Sequence, residues 1–351
     1  MAVYYTAPMR YSPAFAHALR RGSRLGLTAT LAAAIVVPQA VPAQTPATGF
    51  AGQVIPGASI SRGPAATRRI GHPTTACSNP SRQVNTMAMP AYAGNVRSTD
   101  GRMWTLPPTE EGPFALDYYN DCNGAGENSA YASRLKTVVI DPDGVELTGF
   151  IFADNYFELW VNGQFVGRDS IGMTPFNSHV VRFRARYPIT YAVKAVDWET
   201  HHGIGMEYDT YNIGDGGFIA YFSDGTRTGA DWRVETFYVA PLDDPSCVRA
   251  TASGRDSTYC HQGVRPVCAQ KPETCYALHF PVPDGWRGAA FDDSRWARAT
   301  TWPPRAVTGD PSYTRVAQVF RDAEFIWTKN LRLDNLVLAR FTAKGPGGMT
   351  N

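Results

Sequence analysis

The chain has 351 residues, 44% of them hydrophobic and 18% charged, with a formal net charge of +2 at neutral pH. So small a charge gives no electrostatic reason to expect nucleic acid or an anionic membrane surface as partner. For the six cysteines a zinc site is the second reading after disulfides, and no close Cys-x-x-Cys pair supports it.

Residues 1–43 read as a secretion signal. Arg10, Arg20, Arg21 and Arg24 precede the first acidic residue, Asp100, and an apolar run follows over 25–37. That run is short for a bilayer, which takes about 20 apolar residues, and Val41 and Ala43 supply the small-residue exit a signal peptidase reads. Arg20-Arg21 lacks the hydrophobic residues expected after a twin-arginine pair, so an ordinary cationic start is the simpler reading. Without those four arginines, 29 basic residues face 31 acidic ones, a net of −2. An exported chain that is slightly acidic is the expectation, periplasmic or secreted, with no later stretch apolar enough to span a membrane.

Residues 44–102 are rich in Pro, Gly, Ala, Ser and Thr without sustained periodicity, and read as a weakly ordered lead-in. From Met103 the texture changes to short aromatic and β-branched runs separated by turn residues, which predicts a single all-β domain over 103–343. In 156–161, Phe157, Leu159 and Val161 share one face while Tyr156, Glu158 and Trp160 share the other; Asn162-Gly163 then predicts a tight hairpin into a return strand at Gln164. Further strands are predicted over 181–186, 191–198, 217–222, 232–240 and 336–341, with turns at Asp141-Pro-Asp-Gly144 and Ser223-Asp-Gly225. Residues 344–351 read as a flexible tail.

An even cysteine count in an exported chain favours disulfides. Cys247, Cys260, Cys268 and Cys275 crowd into a loop-like insertion at 245–280, while Cys77 and Cys122 lie apart. Six cysteines allow 15 pairings; the leaning is Cys77 with Cys122 and two bridges inside the later cluster.

Two segments resemble the galactose-binding-like β-sandwich that accompanies many bacterial glycoside hydrolases, α-L-rhamnosidases among them. Ala153-Asp-Asn-Tyr-Phe-Glu-Leu-Trp-Val-Asn-Gly163 looks like that fold's strand and hairpin. Phe291-Asp-Asp-Ser-Arg-Trp296 is similar to its opening acidic turn, with Ala323-Glu-Phe-Ile-Trp327 and Leu336-Val-Leu-Ala-Arg340 as the next strands. The two halves stand in reversed order, so the resemblance implies a circularly permuted jelly-roll sandwich in which residues 291–341 pair with strands from 136–240. It also implies an accessory carbohydrate-binding role. Asp154 and Asp292 are expected to serve turn amides.

Chemistry concentrates in Asp197-Trp-Glu-Thr-His-His-Gly-Ile-Gly-Met-Glu-Tyr208. If the preceding strand continues, Asp197, Glu199 and His201 alternate onto one face as a three-ligand metal set; the same residues, with Glu207, could bind sugar hydroxyls beside exposed Trp160 and Trp198 platforms, or form a plain polar loop. Asn212-Ile-Gly-Asp-Gly-Gly217 has the oxygen-rich character that suits a structural calcium ion, but falls short of a twelve-residue calcium loop and also fits a glycine-rich turn. No Gly-x-Ser-x-Gly, His-Glu-x-x-His or phosphate loop occurs. The leading expectation is therefore a non-catalytic exported protein that binds carbohydrate or a cell-surface polymer. The alternatives are a metal-dependent hydrolase using Asp197, Glu199 and His201, and an envelope assembly protein with a protein partner.

Overall fold

A computed structural model describes residues 52–69, 92–108, 111–121, 134–170, 177–207 and 210–348. Contacts divide the chain into Met1–Ala43 and Gln44–Asn351, and every described residue belongs to the second unit. The segment expected as a secretion signal, Cys77 and Cys122 lie outside the described residues.

The fold is all-β, with two large open sheets, neither of which closes into a barrel. One sheet runs in the order Ser59–Arg62, Tyr276–His279, Arg233–Leu242, Asp334–Ala343, Ile189–Val196, Tyr156–Val161, Gln164–Arg168, with Ala297–Arg298 pairing beside Arg233–Leu242. The other runs Thr300–Trp302, Phe325–Trp327, Gly217–Phe222, Val145–Asp154, Asn177–Ala185, Leu116–Asn120. Pairing is antiparallel in both, except where Thr137–Val139 runs parallel to Asn177–Ala185. Asp334–Ala343 lies between Arg233–Leu242 and Ile189–Val196, and Phe325–Trp327 pairs with Gly217–Phe222. The closing segment of the chain is thus built into the middle of sheets made by earlier strands.

Alternating residues create the shared core. Phe157, Leu159 and Val161 from one sheet meet Phe183, Phe218 and Phe222 from the other. Asn162 and Gly163 take φ of 48° and 80°, the left-handed pair that a two-residue hairpin between twisted strands requires.

The opposite face of the first sheet is also buried, and this departs from the expectation of exposed platforms. Tyr156, Trp160, Tyr238 and Leu338 form a second apolar cluster with Ile60, Val96, Leu106, Trp286 and Trp296. A sheet apolar on both sides must be covered on both, and the cover comes from the stretch expected as a lead-in. Ser59–Arg62 extends the sheet against Tyr276–His279, and Ala66–Arg69, Tyr92–Arg97 and Met103–Leu106 form a small sheet of their own. The ordered β structure therefore begins well before residue 103. The expected loop insertion at 245–280 likewise ends in a sheet strand, Tyr276–His279, and carries a hairpin, Arg249–Thr251 with Gly254–Asp256. It holds two disulfides, Cys247–Cys260 and Cys268–Cys275. The start of the expected tail is tied down too, because Gly347 N donates to Asp224 O.

The Asp-Asp-Ser-x-Trp element is held from behind by Arg340. Its guanidinium is buried, donates to Asp293 Oδ2 at 2.8 Å and to Gly288 O at 3.1 Å, and also bonds Trp286 O. Asp292 accepts from Ser294 N, as expected of a turn residue. Arg340→Met should strand two carbonyls and a carboxylate, destabilising the protein by about 3 kcal/mol. Urea unfolding would read this as a lower midpoint at unchanged slope; an unaltered midpoint would show that the clamp contributes nothing.

Candidate metal centre

Past the strand Ile189–Val196, Asp197 still keeps the register, its N donating to Asn335 O at 3.0 Å, and the break comes at Trp198, whose N donates to Asn155 Oδ1 at 2.6 Å. Strand alternation therefore does not run on to residue 201, and the face expected to gather Asp197, Glu199 and His201 does not form.

His201 instead turns away into a tight loop. Its N donates to Met206 O at 2.8 Å and its ring stacks on Tyr211 at 4.4 Å. Two glycines make the loop possible. Gly203 and Gly205 take φ of 92° and 55°, and a Cβ on them would lie 2.6 Å from Ala65 N and 2.8 Å from Ala240 O respectively. The loop returns the chain so that Glu207, not His201, completes the group. One oxygen each from Asp197, Glu199 and Glu207 lies within 4.8 Å of the others. Oxygens on opposite sides of a calcium ion, each at about 2.4 Å, stand about that far apart.

The glycine-rich segment 212–217 closes over this group. A Cβ on Gly214 would lie 2.9 Å from both Glu199 Oε1 and Glu207 Oε1, so only glycine lets the backbone rest against the two carboxylates. Asp215 follows, and its charge acts on Asp197, Glu199 and Glu207. Asp154 adds a further carboxylate that feels Asp215, Asp197 and Glu207. It was expected to serve a turn amide; the fold draws it towards the acidic group instead.

Burial makes the arrangement costly. Asp197 and Glu199 are 3% and 2% exposed, and their carboxyl groups face each other without receiving a hydrogen bond from any other part of the protein. Buried polar atoms almost always have partners, and unpaired buried charge is costlier still. Burial first, and then the neighbouring carboxylates, hold Asp197, Glu199 and Asp154 well above the usual carboxylate range. Burial also pushes Glu207 up to about 7 and Asp215 up to about 6. Arg332 is the one cation that opposes this at Asp215. A bound divalent cation would satisfy the orphaned oxygens and the repulsion together. The donors are all hard oxygens, which suit calcium, magnesium or manganese better than zinc.

Gly214→Ala is a direct probe. Its methyl must displace Glu199 or Glu207, so calcium affinity should fall on the order of tenfold. Titration calorimetry would measure this, and wild-type affinity in the variant would contradict the seating described.

The aromatic residues expected to offer a sugar platform do not. Trp160 is 3% exposed, wedged between Phe165 and Trp286 with the Arg287 guanidinium 4.3 Å above its ring. Trp198 is 5% exposed and packs edge-on against Tyr156. A second buried polar group went unrecognised in the sequence: His179 Nε2 lies 3.3 Å from Asp169 and 3.7 Å from Asp117. Burial opposes its charge, but the two aspartates raise its pKa overall.

Compared with known protein families, curated proteins and solved structures, the chain gives no match. Among the described residues, no helix is long and apolar enough to cross a membrane.

Proposed function

We propose that the chain is an exported, calcium-dependent β-sandwich protein whose cation is held by Asp197, Glu199 and Glu207, with Asp215 beside them. The observation that carries this reading is that the carboxylates of two buried residues, Asp197 and Glu199, receive no hydrogen bond from the rest of the protein. The cation ties Asp197 and Glu199, which follow the interior strand Ile189–Val196, to Glu207 and to Asp215, which precedes the interior strand Gly217–Phe222. Extracellular calcium modules work with dissociation constants of about 10⁻⁴–10⁻³ M, which suits an extracytoplasmic protein with disulfides.

The galactose-binding-like jelly roll, in permuted order, is the fold reading that accompanies it. Support comes from the two sheets over one core and from the central position of Asp334–Ala343. Carbohydrate or another surface polymer stays a proposed ligand, but without Trp160 and Trp198 as its platforms. A metal-dependent hydrolase is the second reading, favoured by the partial exposure of Glu207 and Asp215. An ion with buried ligands on one side and half-exposed ones on the other retains a place for water, as a catalytic ion needs.

Elemental analysis of protein purified without chelator tests the reading. Near-stoichiometric calcium supports it, and a chain that neither retains nor rebinds any divalent ion contradicts it. Hydrolysis of a glycoside or ester panel, lost on chelation and restored by the metal, would favour the second reading.

A further inference from the structure

The loop that supplies Glu207 is seated on a small core of its own. Ile204 and Met206 are fully buried, and they pack with Cys268, Ala269 and Cys275, with Tyr211 against the same group. This cluster is separate from the two large apolar clusters of the sheets. Its centre is the Cys268–Cys275 disulfide. The bridged segment is itself anchored, since Cys268 N donates to Asp243 Oδ1 at 2.6 Å and Cys275 O accepts from Gly63 N at 2.8 Å.

Met206 is the residue next to Glu207. Its carbonyl accepts from His201 N, and Glu207 N then donates to Asn212 O at 2.8 Å. The other end of the loop is also held by the Cys-rich region, because Ile213 N donates to Val264 O at 2.9 Å. Asp197 and Glu199 are placed differently: the segment that carries them leaves the large sheet through Asn335 and Asn155. The three oxygens therefore have different supports: the sheet for two of them, and for the third a loop whose backbone touches Ala65 and Ala240 and whose side chains pack on the disulfide-centred core.

We propose that the Cys268–Cys275 disulfide is a positioning element for Glu207, so that the cation site is complete only in the oxidised chain. This rests on the cation reading above. Closing the bridge removes two electrons and two protons from the paired thiols, and a disulfide oxidant takes them up and leaves as its dithiol. With the bridge open, the small core loses its centre and the turn carrying Glu207 loses its seat, while Asp197 and Glu199 stay in place. Outer-shell supports of this kind set metal affinity by factors of about 10–100. Cation loading would then be restricted to chains that have reached an oxidising compartment.

Calcium titration calorimetry on the full chain tests the coupling through a double-mutant cycle. The four proteins are wild type, Cys268→Ser with Cys275→Ser, Glu207→Gln, and the three changes combined. The serine pair should lose about tenfold in affinity, but should cost nothing further once Glu207 is Gln. Met206→Ala, which keeps the bridge but breaks its contact with the turn, should lose affinity in the same Glu207-dependent way and guards against a serine pair that fails to fold. Oxidised wild type that binds no calcium would overturn the cation reading itself. Wild-type binding with an unaffected serine pair and an unaffected Met206→Ala would overturn the coupling alone, as would losses that multiply in full on Glu207→Gln.

Discussion

Replacing Asp197 with Asn and Glu199 with Gln should raise the melting temperature of the chelator-treated protein while abolishing its response to calcium. In most buried sites, substitutions of this kind destabilise. Here both residues are buried, no donor from elsewhere in the protein reaches their carboxylates, and Glu207 and Asp215 repel them both. Isosteric amides keep the volume and remove the like charges. Exchange of buried charge for neutral groups of similar shape can stabilise by about 1–4 kcal/mol. For a protein of this size that is roughly 2–4 °C per kcal/mol. The wild type should behave oppositely, melting low in chelator and high in calcium. A double variant that melts below wild type in chelator, by the margin of an ordinary core defect, would remove the case for an electrostatically strained site.

Calcium should stabilise the wild type strongly at pH 8 and weakly at pH 5. The carboxyl groups of the cluster have pKa values raised by burial in the cation-free fold, Asp215 to about 6 and Glu207 to about 7, from ordinary values of 3.8 and 4.5. A raised carboxyl pKa contributes stability below its unfolded value and loses it as pH climbs through the folded one. The cation-free protein should therefore weaken as pH rises from about 4 to about 7. Calcium binds the ionised form, so its benefit grows over the same window. At 100 to 1,000 times the dissociation constant that benefit is about 2.7–4.1 kcal/mol. Other groups titrate without meeting the ion. Glu235 and Asp334 are raised by burial to about 6 and about 7, and act in the same direction. His202 and His279 are lowered by burial to about 4 and about 3, so their contribution is full above about 6.5 and lost as pH falls towards those values. Taking the difference between calcium and chelator at each pH cancels all four. A difference that is flat from pH 5 to 8 would refute the carboxylate account.

The strands were legible because their information is local. Tyr156–Val161 and Gly217–Phe222 occur at the predicted bounds, and Asn162-Gly163 turns as that dipeptide should. Alternation says which residues share a face, however, not what covers it. Trp160, expected as an exposed platform, shares its strand face with the charged Glu158. In the fold Glu158 is buried against Lys194 at 2.6 Å, and residues from 54–106 and 280–296 cover that face. Pro- and Gly-rich sequence hid those covering strands, of which Ser59–Arg62 pairs with the distant Tyr276–His279 and the other three pair among themselves.

The candidate centre was half legible for the same reason. Asp197, Glu199 and Glu207 stand close in sequence, and the segment 212–217 carried an oxygen-rich signature. Which of them meet is decided by the end of a strand at Val196 and by two glycines that reverse the chain. His201 was the natural third ligand only while the strand continued. The signal that could have displaced it was present in Gly203-Ile-Gly205, a spacing that turns a loop back on itself.

Titration of calcium into chelator-stripped, oxidised protein at pH 8 tests the central claim most directly. The account predicts a saturable isotherm, with proton release on binding, and its disappearance in the Asp197→Asn, Glu199→Gln variant. No saturable binding in the wild type, or equal binding in that variant, would contradict it.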